Sequence, residues 1–374
     1  MLYQLSEFFP YTPWSVFRYV TFRSAGAAVT ALLLSWLLGP SVIQWLTRLR
    51  FRQYYQPKDV REASDPSAAA ADLAKRGTPT MGGLLIFLVL DITVLLWAQP
   101  NVMVLLTMLS MLVLTCLGFY DDWLKISKQN SAGASSYLKI CVQVLLALLI
   151  GFYLWRLPST RILVTDIQIP FFKEPVLIGV PLLGILLAAF TIIGSSNAVN
   201  LTDGMDGLAT GCTLIVAVVM LILTYLADSV KIAAYLQIPH VRGTSELTVV
   251  CAALIGTCLG FLWFNCHPAE VFMGDTGSLA LGGTLGIMAV LIHQPLVLVL
   301  AGGVFVAEAV SVMLQVSWFK YTRRKYGEGR RLFRMAPLHH HFQKLGWKES
   351  KVVTRFYIVG ILCAVVALSS LKIR

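Results

Sequence analysis

The sequence predicts an all-α integral membrane protein with about ten transmembrane helices, and three observations lead to that class. Of the 374 residues, 57% are hydrophobic and only 13% are charged, whereas about a quarter of the residues in soluble domains are charged. Apolar runs of roughly 20 residues recur along the chain, which is the length that crosses a hydrocarbon core of about 30 Å. Most acidic motifs lie between these runs, so we expect a lipid-embedded bundle with polar loops.

Each predicted span corresponds to one apolar run. The runs cover residues 22–46, 79–98, 101–120, 138–156, 176–196, 207–227, 246–264, 279–293, 295–319 and 352–372. The ninth contains Gly302, Gly303 and Glu308, so we expect it to be bent or broken. No basic leader with a small-residue cleavage site precedes the first run, so we expect a retained span and not a signal peptide. Residues 161–176 alternate like a short periplasmic hairpin, and 228–245 suit a surface helix.

The distribution of Lys and Arg predicts the side on which each loop lies. With the N-terminus outside, 20 of the 30 Lys and Arg residues fall in or beside the inward loops and 9 in the outward segments. By the positive-inside rule, both termini are then periplasmic, and an even number of spans agrees with that. The prediction is one polytopic domain, residues 1–374. Its cytoplasmic loops are 47–78, 121–137, 197–206, 265–278 and 320–351.

The carboxylate-bearing motifs fall in these same inward loops, so we expect a site that faces the cytoplasm. A through-pore would instead distribute polar groups across the bilayer depth. The 7 cysteines form no CxxC or metal-ligand spacing and are interpreted as small hydrophobic residues. The net charge of +11 is attributed to topology and anionic membrane lipids, and not to nucleic acid.

Two adjacent aspartates in GFYDDWLK, Asp121 and Asp122, close the third span, and Lys125 follows them. An Asp121–Lys125 pair at i,i+4 on a solvated helix end would contribute only about 0.3–0.5 kcal/mol. That pair explains one aspartate but not two. Adjacent carboxylates become favourable beside a divalent cation or a cationic partner, and one of them can accept a proton. Both interpretations stay open from the local sequence.

Two further motifs combine acidic and small residues. NAVNLTDGMDGLA places Asn200, Asp203 and Asp206 three residues apart, on one face if helical, although turns and N-caps use the same residues. In VFMGDTGSLALGG, Asp275 and Thr276 stand at the start of a helix, where free N–H groups can bind a phosphate. Simple N-capping by either residue is the alternative.

The remaining candidates are weaker one by one. His339, His340 and His341 in MAPLHHHFQK lie among arginines, which suits phosphate contacts better than zinc because consecutive rings diverge. A patch for lipid headgroups is the alternative. Phe272 is either a surface for base stacking or an interfacial aromatic, and Glu308 is either structural or near the site.

The stretch AKRGTPTMGG places Lys75 and Thr80 before the second span, where ordinary helix-entry residues would look the same. No Walker A, GxGxxG, HExxH or GxSxG motif occurs in a suitable context. ATP-driven pumping, dinucleotide redox chemistry and serine hydrolysis therefore lack support.

In chain order, the motifs resemble the phospho-N-acetylmuramoyl-pentapeptide-transferase family, a branch of the polyprenyl-phosphate N-acetylhexosamine-1-phosphate transferases. They are GTPTMGG, GFYDDWLK, SSNAVNLTDGMDGLA, NCHPAEVFMGDTGS and FRMAPLHHHFQK. The resemblance implies an enzyme of the bacterial inner membrane, active in peptidoglycan synthesis. With Mg²⁺ it would transfer phospho-MurNAc-pentapeptide from UDP-MurNAc-pentapeptide to undecaprenyl phosphate, giving lipid I and UMP. A homodimer is a family expectation.

The resemblance also implies roles for the candidate residues. Asp121, Asp122 and Asp275 would form the catalytic acidic set, with Asp275 as the Mg²⁺ ligand. The nucleotide pocket would be lined by Asn200, Asp203, Asp206, Asn265 and Phe272. Phosphate and sugar contacts would come from Lys75, Thr80, Lys125, His339, His340 and His341. Lys139 is only a candidate substrate contact, because NSAGASSYLK lacks the Arg that the family often has there.

The expected chemistry follows from two anionic substrates, which need a cation to screen them and to stabilise the departing UMP. We expect direct in-line attack by the lipid phosphate, with Asp121 or Asp122 assisting its deprotonation. A two-step route through an aspartyl intermediate at Asp275 is the alternative. Among other functions, a related UDP-GlcNAc transferase is the nearest rival. A transporter or flippase would need mid-bilayer charges and repeated halves, and Glu308 is the one good candidate for such a charge.

Overall fold

A computed structural model describes residues 1–8, 11–49, 51, 77–128 and 133–371. Within these ranges the chain forms fourteen α-helices and two short 3-10 helices. The α-helices are α1 (Leu2–Phe8), α2 (Val20–Arg48), α3 (Gly83–Trp97), α4 (Val102–Ser127), α5 (Ser136–Arg156), α6 (Pro181–Thr202), α7 (Leu208–Asp228), α8 (Val230–Leu236), α9 (Ser245–Asn265), α10 (Gly274–Leu291), α11 (Pro295–Ala301), α12 (Gly303–Tyr326), α13 (Leu338–Gln343) and α14 (Glu349–Ser369).

The chain is a multi-pass membrane protein of the all-α class, as the sequence predicts. In the described ranges, nine helices are long and apolar enough to cross a membrane: α2, α4, α5, α6, α7, α9, α10, α12 and α14. The second predicted span, 79–98, corresponds to α3, which is also apolar but has only 15 residues. Polar contacts bring the ends of α4 and α6 together with the start of α10, so these three helices meet at one end of the bundle.

Two helices form the centre of the bundle. Of an 18-residue apolar stretch in each helix, 89% of the residues are buried in α10 and 78% in α9. The share is only 22% in α2 and in α12. The sequence of α10 is rich in glycine and alanine, and small residues let membrane helices approach closely. The first residues of α10 therefore emerge from the middle of the protein, which is where a site can be enclosed by several helices.

The approach of α4 to α10 is closest at Gly118. A Cβ atom at this position would overlap the backbone carbonyl of Asp275. Only glycine therefore allows the two backbones to meet one helical turn before Asp121 and Asp122. This contact sets the distance between the acidic ends of the two helices.

Several helices extend beyond the apolar runs that predict them. The α4 helix continues to Ser127, α6 continues to Thr202, and α10 begins at Gly274 instead of residue 279. Parts of the predicted loops 121–137, 197–206 and 265–278 are therefore helical, which corrects their boundaries. The polar residues in these turns find partners inside the bundle, so a helix need not end at its last apolar residue.

The irregular segments match the sequence in part. The ninth span is interrupted at Gly302, between α11 and α12, as predicted for that helix. The expected hairpin is reduced to one antiparallel bridge between Ile167 and Leu177, and Arg161–Val164 forms a 3-10 helix. An isolated pair of short strands is only marginally stable, which explains why the pairing does not extend further. In the region 228–245, the surface helix is the short α8.

A buried ion pair joins the starts of α2 and α9, at the opposite end of the bundle. Arg23 donates two hydrogen bonds of 2.6 Å to the carboxylate of Glu246, which also accepts the backbone N–H of Gln99 at 2.7 Å. Removing one partner of such a pair typically costs about 3–5 kcal/mol, because the other charge is then buried alone. The pair fixes the outer ends of two helices that lead to the site.

Replacing Gly118 by alanine tests the α4–α10 contact. The added methyl group must push the Asp275 backbone away, so we expect Gly118→Ala to destabilise the protein by about 1–3 kcal/mol. Gly194→Ala is the control, because a Cβ at Gly194 in α6 meets nothing within 4 Å. Thermal unfolding in detergent should show a lower midpoint for Gly118→Ala only. Equal midpoints for both variants would contradict the packing described.

Candidate active site at one end of the helix bundle

Three carboxylates converge where α4 meets the start of α10. One oxygen from each of Asp121, Asp122 and Asp275 lies within 4.8 Å of the others. Asp121 and Asp122 are buried, and the side chain of Asp275 is 16% exposed. The two segments are 153 residues apart in sequence at their nearest members, Asp122 and Asp275, so only the fold brings them together.

Two lysines bridge these carboxylates. The Nζ atom of Lys125 lies 2.6 Å from Asp121 Oδ2, 3.1 Å from Asp275 Oδ2 and 3.6 Å from Asp122 Oδ1. The Nζ atom of Lys139, from the first turn of α5, lies 2.8 Å from Asp121 Oδ1 and 2.9 Å from Asp275 Oδ2. Three negative charges therefore face two positive ones. Such pairing makes a buried acidic cluster tolerable inside a membrane protein.

Asp122 also holds the first turn of α10. Its Oδ2 atom accepts the backbone N–H of Thr276 at 2.9 Å and the Thr276 hydroxyl at 2.7 Å. Gly274, directly before, has a φ of 71°, and a Cβ there would lie only 2.5 Å from Asp122 Oδ2 and 3.0 Å from Thr80 Oγ1. Glycine is therefore required both for the backbone conformation and for the space. N-capping, the alternative considered for GDTGS, is performed here by a residue of another helix.

The last turn of α6 contributes an amide to the same cluster. Asn200 donates from Nδ2 to Asp275 Oδ1 at 2.9 Å and to Ser278 Oγ at 2.8 Å. Asp203 follows α6 directly and lies near these carboxylates. Desolvation, reinforced by the negative charges of Asp275, Asp122 and Asp206, raises the pKa of Asp203 to about 8. The raised pKa favours the protonated form of this loop carboxyl at neutral pH.

The carboxylate cluster suits a hard divalent cation. Carboxylate oxygens from three side chains are the ligands that Mg²⁺ and Ca²⁺ prefer. The three acids carry one more charge than the two lysines neutralise, and the ammonium groups lie where a cation would contact the same oxygens. The residues present therefore fit a metal, with Asp275 as the member that both lysines and Asn200 contact.

A second polar cluster is built around Asp206, three residues after Asp203. The Asp206 Oδ2 atom lies 3.0 Å from His267 Nδ1 and accepts the Ala269 N–H at 3.2 Å. Glu349, the first residue of α14, accepts the Asp206 N–H at 2.9 Å. This cluster joins the segment after α6, the segment after α9 and the start of the last helix.

Three predicted substrate-binding residues lie in or beside the segment before α10. Asn265 is buried and holds that segment, since its side chain accepts from Thr210 Oγ1 at 2.8 Å and donates to the Val271 carbonyl at 2.9 Å. Phe272 is partly exposed, and its backbone pairs with Pro79 and Gly82. Thr80 is buried beside Gly274. Both polar atoms of the Asn265 side chain are therefore already engaged in holding this segment.

The three histidines do not act as one group. His339 is fully buried, and Glu308 accepts its backbone N–H at 3.1 Å and lies 2.9 Å from its Nδ1. Glu308 therefore faces the bundle interior, with a structural partner near the site. The Nε2 atom of His339 points at Gly204. His340 lies 3.2 Å from the Gln343 side chain, and His341 Nδ1 accepts the Arg334 N–H at 3.1 Å.

The predicted set of site residues and the observed one differ at a few positions. One predicted residue, Lys75, lies outside the part of the chain that the structure describes. Lys139, considered only as a candidate substrate contact, bridges two of the three carboxylates. His267 and Glu349 were not predicted at all. His267 stands in the NCHPAE motif, and that position beside an acidic loop was the signal available, whereas nothing local distinguishes Glu349 from any helix-starting glutamate.

Comparisons with known proteins give matches along the whole chain. The model of glycosyl transferase family 4 matches residues 103–293, and phospho-N-acetylmuramoyl-pentapeptide-transferase signature 1 matches residues 75–87. A phospho-N-acetylmuramoyl-pentapeptide-transferase of Methylacidiphilum infernorum is 46% identical over 376 residues, covering 100% of both chains. Relatives of the same name from Opitutus terrae and Desulfotalea psychrophila are each 47% identical. They cover 97% and 100% of this chain, and 96% and 99% of their own.

The raised pKa of Asp203 predicts a pH-dependent stability. Unfolded, the carboxyl ionises near its ordinary value of 3.8, but in the folded protein it stays protonated to about 8. Stability contributed by this group therefore falls as pH rises between these values and is constant above them. The unfolding midpoint of Asp203→Asn should therefore rise relative to that of the wild type between about pH 6 and pH 8. Above that range the difference between the two midpoints should stay constant. Thermal unfolding measures this, with exposed Glu328→Gln as control. A difference independent of pH would contradict the assignment.

Proposed function

Because this chain belongs to the phospho-N-acetylmuramoyl-pentapeptide-transferase family, within glycosyl transferase family 4, we propose the reaction of that family for it. The enzyme transfers phospho-MurNAc-pentapeptide from UDP-MurNAc-pentapeptide to undecaprenyl phosphate, and the products are lipid I and UMP. This is a step of peptidoglycan synthesis. The observation that carries the proposal is the convergence of Asp121, Asp122 and Asp275 with two lysines at one end of a membrane bundle.

The site suits a reaction between two phosphates. Both substrates are anionic, so an acidic cluster alone would repel them. Lys125 and Lys139 present positive charge at its surface, and a divalent cation held by the carboxylates would add more. In this proposal Asp275, assisted by Asp121 and Asp122, holds Mg²⁺. When bound, that ion screens the diphosphate and stabilises the charge on the departing UMP.

The protein residues divide the two substrates between them. The nucleotide of the donor lies against the segments after α6 and α9, in the pocket lined by Asn200, Asp203, Asp206, Asn265 and Phe272. Contacts to phosphate and sugar come from Lys75, Thr80, Lys125, His340 and His341. His339 contributes chiefly by its position, since Glu308 engages both its backbone N–H and its Nδ1.

The proposed chemistry is direct in-line attack. An oxygen of the lipid phosphate attacks the sugar-bound phosphorus of the donor, and the bond from that phosphorus to the oxygen of UMP breaks. The proton of the lipid phosphate goes to Asp122, whose Oδ1 atom has only a 3.6 Å contact with Lys125, whereas three shorter contacts engage Asp121. Asp275 is held by two lysines and Asn200, an arrangement that favours a binding role over nucleophilic attack.

The proposed location is the bacterial inner membrane, with the site facing the cytoplasm and both termini in the periplasm. Supporting this, 20 of the 30 Lys and Arg residues lie in or directly beside the segments predicted to be cytoplasmic. The acidic cluster is built from the ends of helices that border those segments. A long lipid substrate and a water-soluble one can meet only at such a membrane surface. Membrane lipids surround the apolar helices, and a homodimer is part of the proposal by family.

A donor-selective assay tests the function. Purified protein with undecaprenyl phosphate should release UMP from UDP-MurNAc-pentapeptide, and chelation of Mg²⁺ should stop the release. UDP-GlcNAc in its place should give no release, which separates the proposal from the related transferase. UMP release from neither donor would contradict the proposal and favour a transporter or flippase.

Replacing Asp275 tests its part in the reaction. Asp275→Asn removes the charge that a cation needs, and we expect turnover to fall by more than about 100-fold in folded protein. Asp166→Asn is the matched control, because Asp166 lies between α5 and α6 and accepts a backbone N–H that an amide oxygen also accepts. Near-normal turnover of Asp275→Asn would contradict the role given to this carboxylate.

A further inference from the structure

Glu349 lies at a junction of three chain segments. It is the first residue of α14, and its side chain is 8% exposed. Its Oε1 atom accepts the backbone N–H of Asp206 at 2.9 Å, and its Oε2 atom lies 3.7 Å from His267 Nδ1. The α14 helix contacts the segment between α6 and α7 a second time, where the Tyr357 hydroxyl donates to the Gly207 carbonyl at 2.7 Å, but Glu349 is the residue whose side chain also approaches His267.

The two segments joined by Glu349 are also joined to each other. Asp206 belongs to the segment between α6 and α7, and His267 belongs to the segment between α9 and α10. The Asp206 carboxylate accepts the Ala269 N–H at 3.2 Å and lies 3.0 Å from His267 Nδ1. Oxygen atoms of Asp206 and Glu349 both lie within 4.8 Å of a His267 ring nitrogen. Two carboxylates this close repel unless donors lie between them, so the arrangement depends on these particular contacts.

Both segments frame the proposed nucleotide pocket. The first follows Asn200, which donates to Asp275. The second leads through Phe272, whose backbone is paired with Pro79 and Gly82, into the first turn of α10. A shift of either segment would therefore move the walls of the pocket. The lysine contacts of the acidic cluster involve neither segment.

We propose that Glu349 is a positioning residue for the nucleotide end of the soluble donor. It holds the two segments in register by accepting the Asp206 N–H, and it does not touch the reacting atoms. The inference rests on the proposed function. Loss of Glu349 weakens binding of the UDP-linked donor and leaves binding of the lipid phosphate nearly unchanged, because the lipid phosphate meets the lysine–aspartate cluster.

A simpler role for Glu349, stabilising its own helix by charge, predicts the opposite behaviour of the Asp and Gln variants. A glutamate in the first turn of a helix stabilises that helix through its charge alone. In that case Glu349→Asp retains the effect and Glu349→Gln loses it. If the hydrogen bond to Asp206 is what matters, Glu349→Gln retains an acceptor of the same length, whereas Glu349→Asp is one methylene too short to reach it.

Steady-state kinetics of UMP release separate the two roles. Each substrate is varied at saturating concentration of the other, for the wild type and for Glu349→Ala, Glu349→Gln and Glu349→Asp. The Ala and Asp variants should raise the KM for UDP-MurNAc-pentapeptide about 10-fold, which is the loss expected for one buried hydrogen bond. The Gln variant should stay within about 3-fold, and the KM for undecaprenyl phosphate should be unchanged in all three. Inhibition by UMP should weaken by the same factors.

Ser350→Ala is the matched control, since Ser350 is the exposed neighbour in the same helix turn. Three results would each overturn the inference. The first is an unchanged donor KM in the Ala variant, and the second is an equal rise in the KM of both substrates. The third is a wild-type donor KM in the Asp variant together with a raised one in the Gln variant. If the Ala variant does not fold, the Gln and Asp pair decides. Wild-type protein without UMP release would overturn the proposed function itself, and the inference with it.

Discussion

The structure depends on the contact between α4 and α10 at Gly118, because this contact places an acidic cluster inside a lipid-embedded bundle. Burying three carboxylates is costly unless cations and hydrogen-bond donors meet them. Lys125 and Lys139 supply the cations, and Thr276 and Asn200 supply donors. Each partner comes from a different turn of helix, so the cluster fixes the relative positions of four helices. The site and the fold are stabilised by the same interactions.

The arrangement also explains the division of the polar residues. The acidic cluster lies at the ends of α4, α6 and α10, and a second set links Asp206, His267 and Glu349. Between them lies Asp203, whose carboxyl has a raised pKa. A site with one charged part and one hydrogen-bonded part suits the proposed donor, in which a diphosphate lies next to a nucleoside.

Much of the fold can be predicted from the sequence, because the lipid bilayer constrains the length and the apolar composition of each helix that crosses it. Span length, apolar composition and the break at Gly302 follow from a hydrocarbon core in which backbone groups must be paired. Helix ends were less accurate. The polarity of Asp121 and Asp122 placed them in a predicted loop, but they are helical because distant partners satisfy them. Hydrophobic periodicity depends only on neighbouring residues in the sequence, so it cannot predict partners that are distant along the chain.

The same limit applies to the site. Motif order grouped Asp121, Asp122 and Asp275 through a family resemblance, and their convergence required the fold. Lys139 was undervalued and Glu349 was missed, because their importance lies entirely in contacts between segments far apart in the chain. The three consecutive histidines show the opposite error, because a conspicuous sequence pattern does not form one cluster in the structure. His339 is buried, and His340 and His341 contact other residues.

Binding of Mn²⁺ tests the central claim most directly, because this ion prefers the same oxygen ligands as Mg²⁺ and is visible by electron paramagnetic resonance. The account predicts one Mn²⁺ ion per chain in purified protein, displaced by Mg²⁺. Binding should be weakened at least about 10-fold when Asp275 is changed to Asn. Equal Mn²⁺ binding in the wild type and in that variant would contradict a metal held by the α4–α10 cluster.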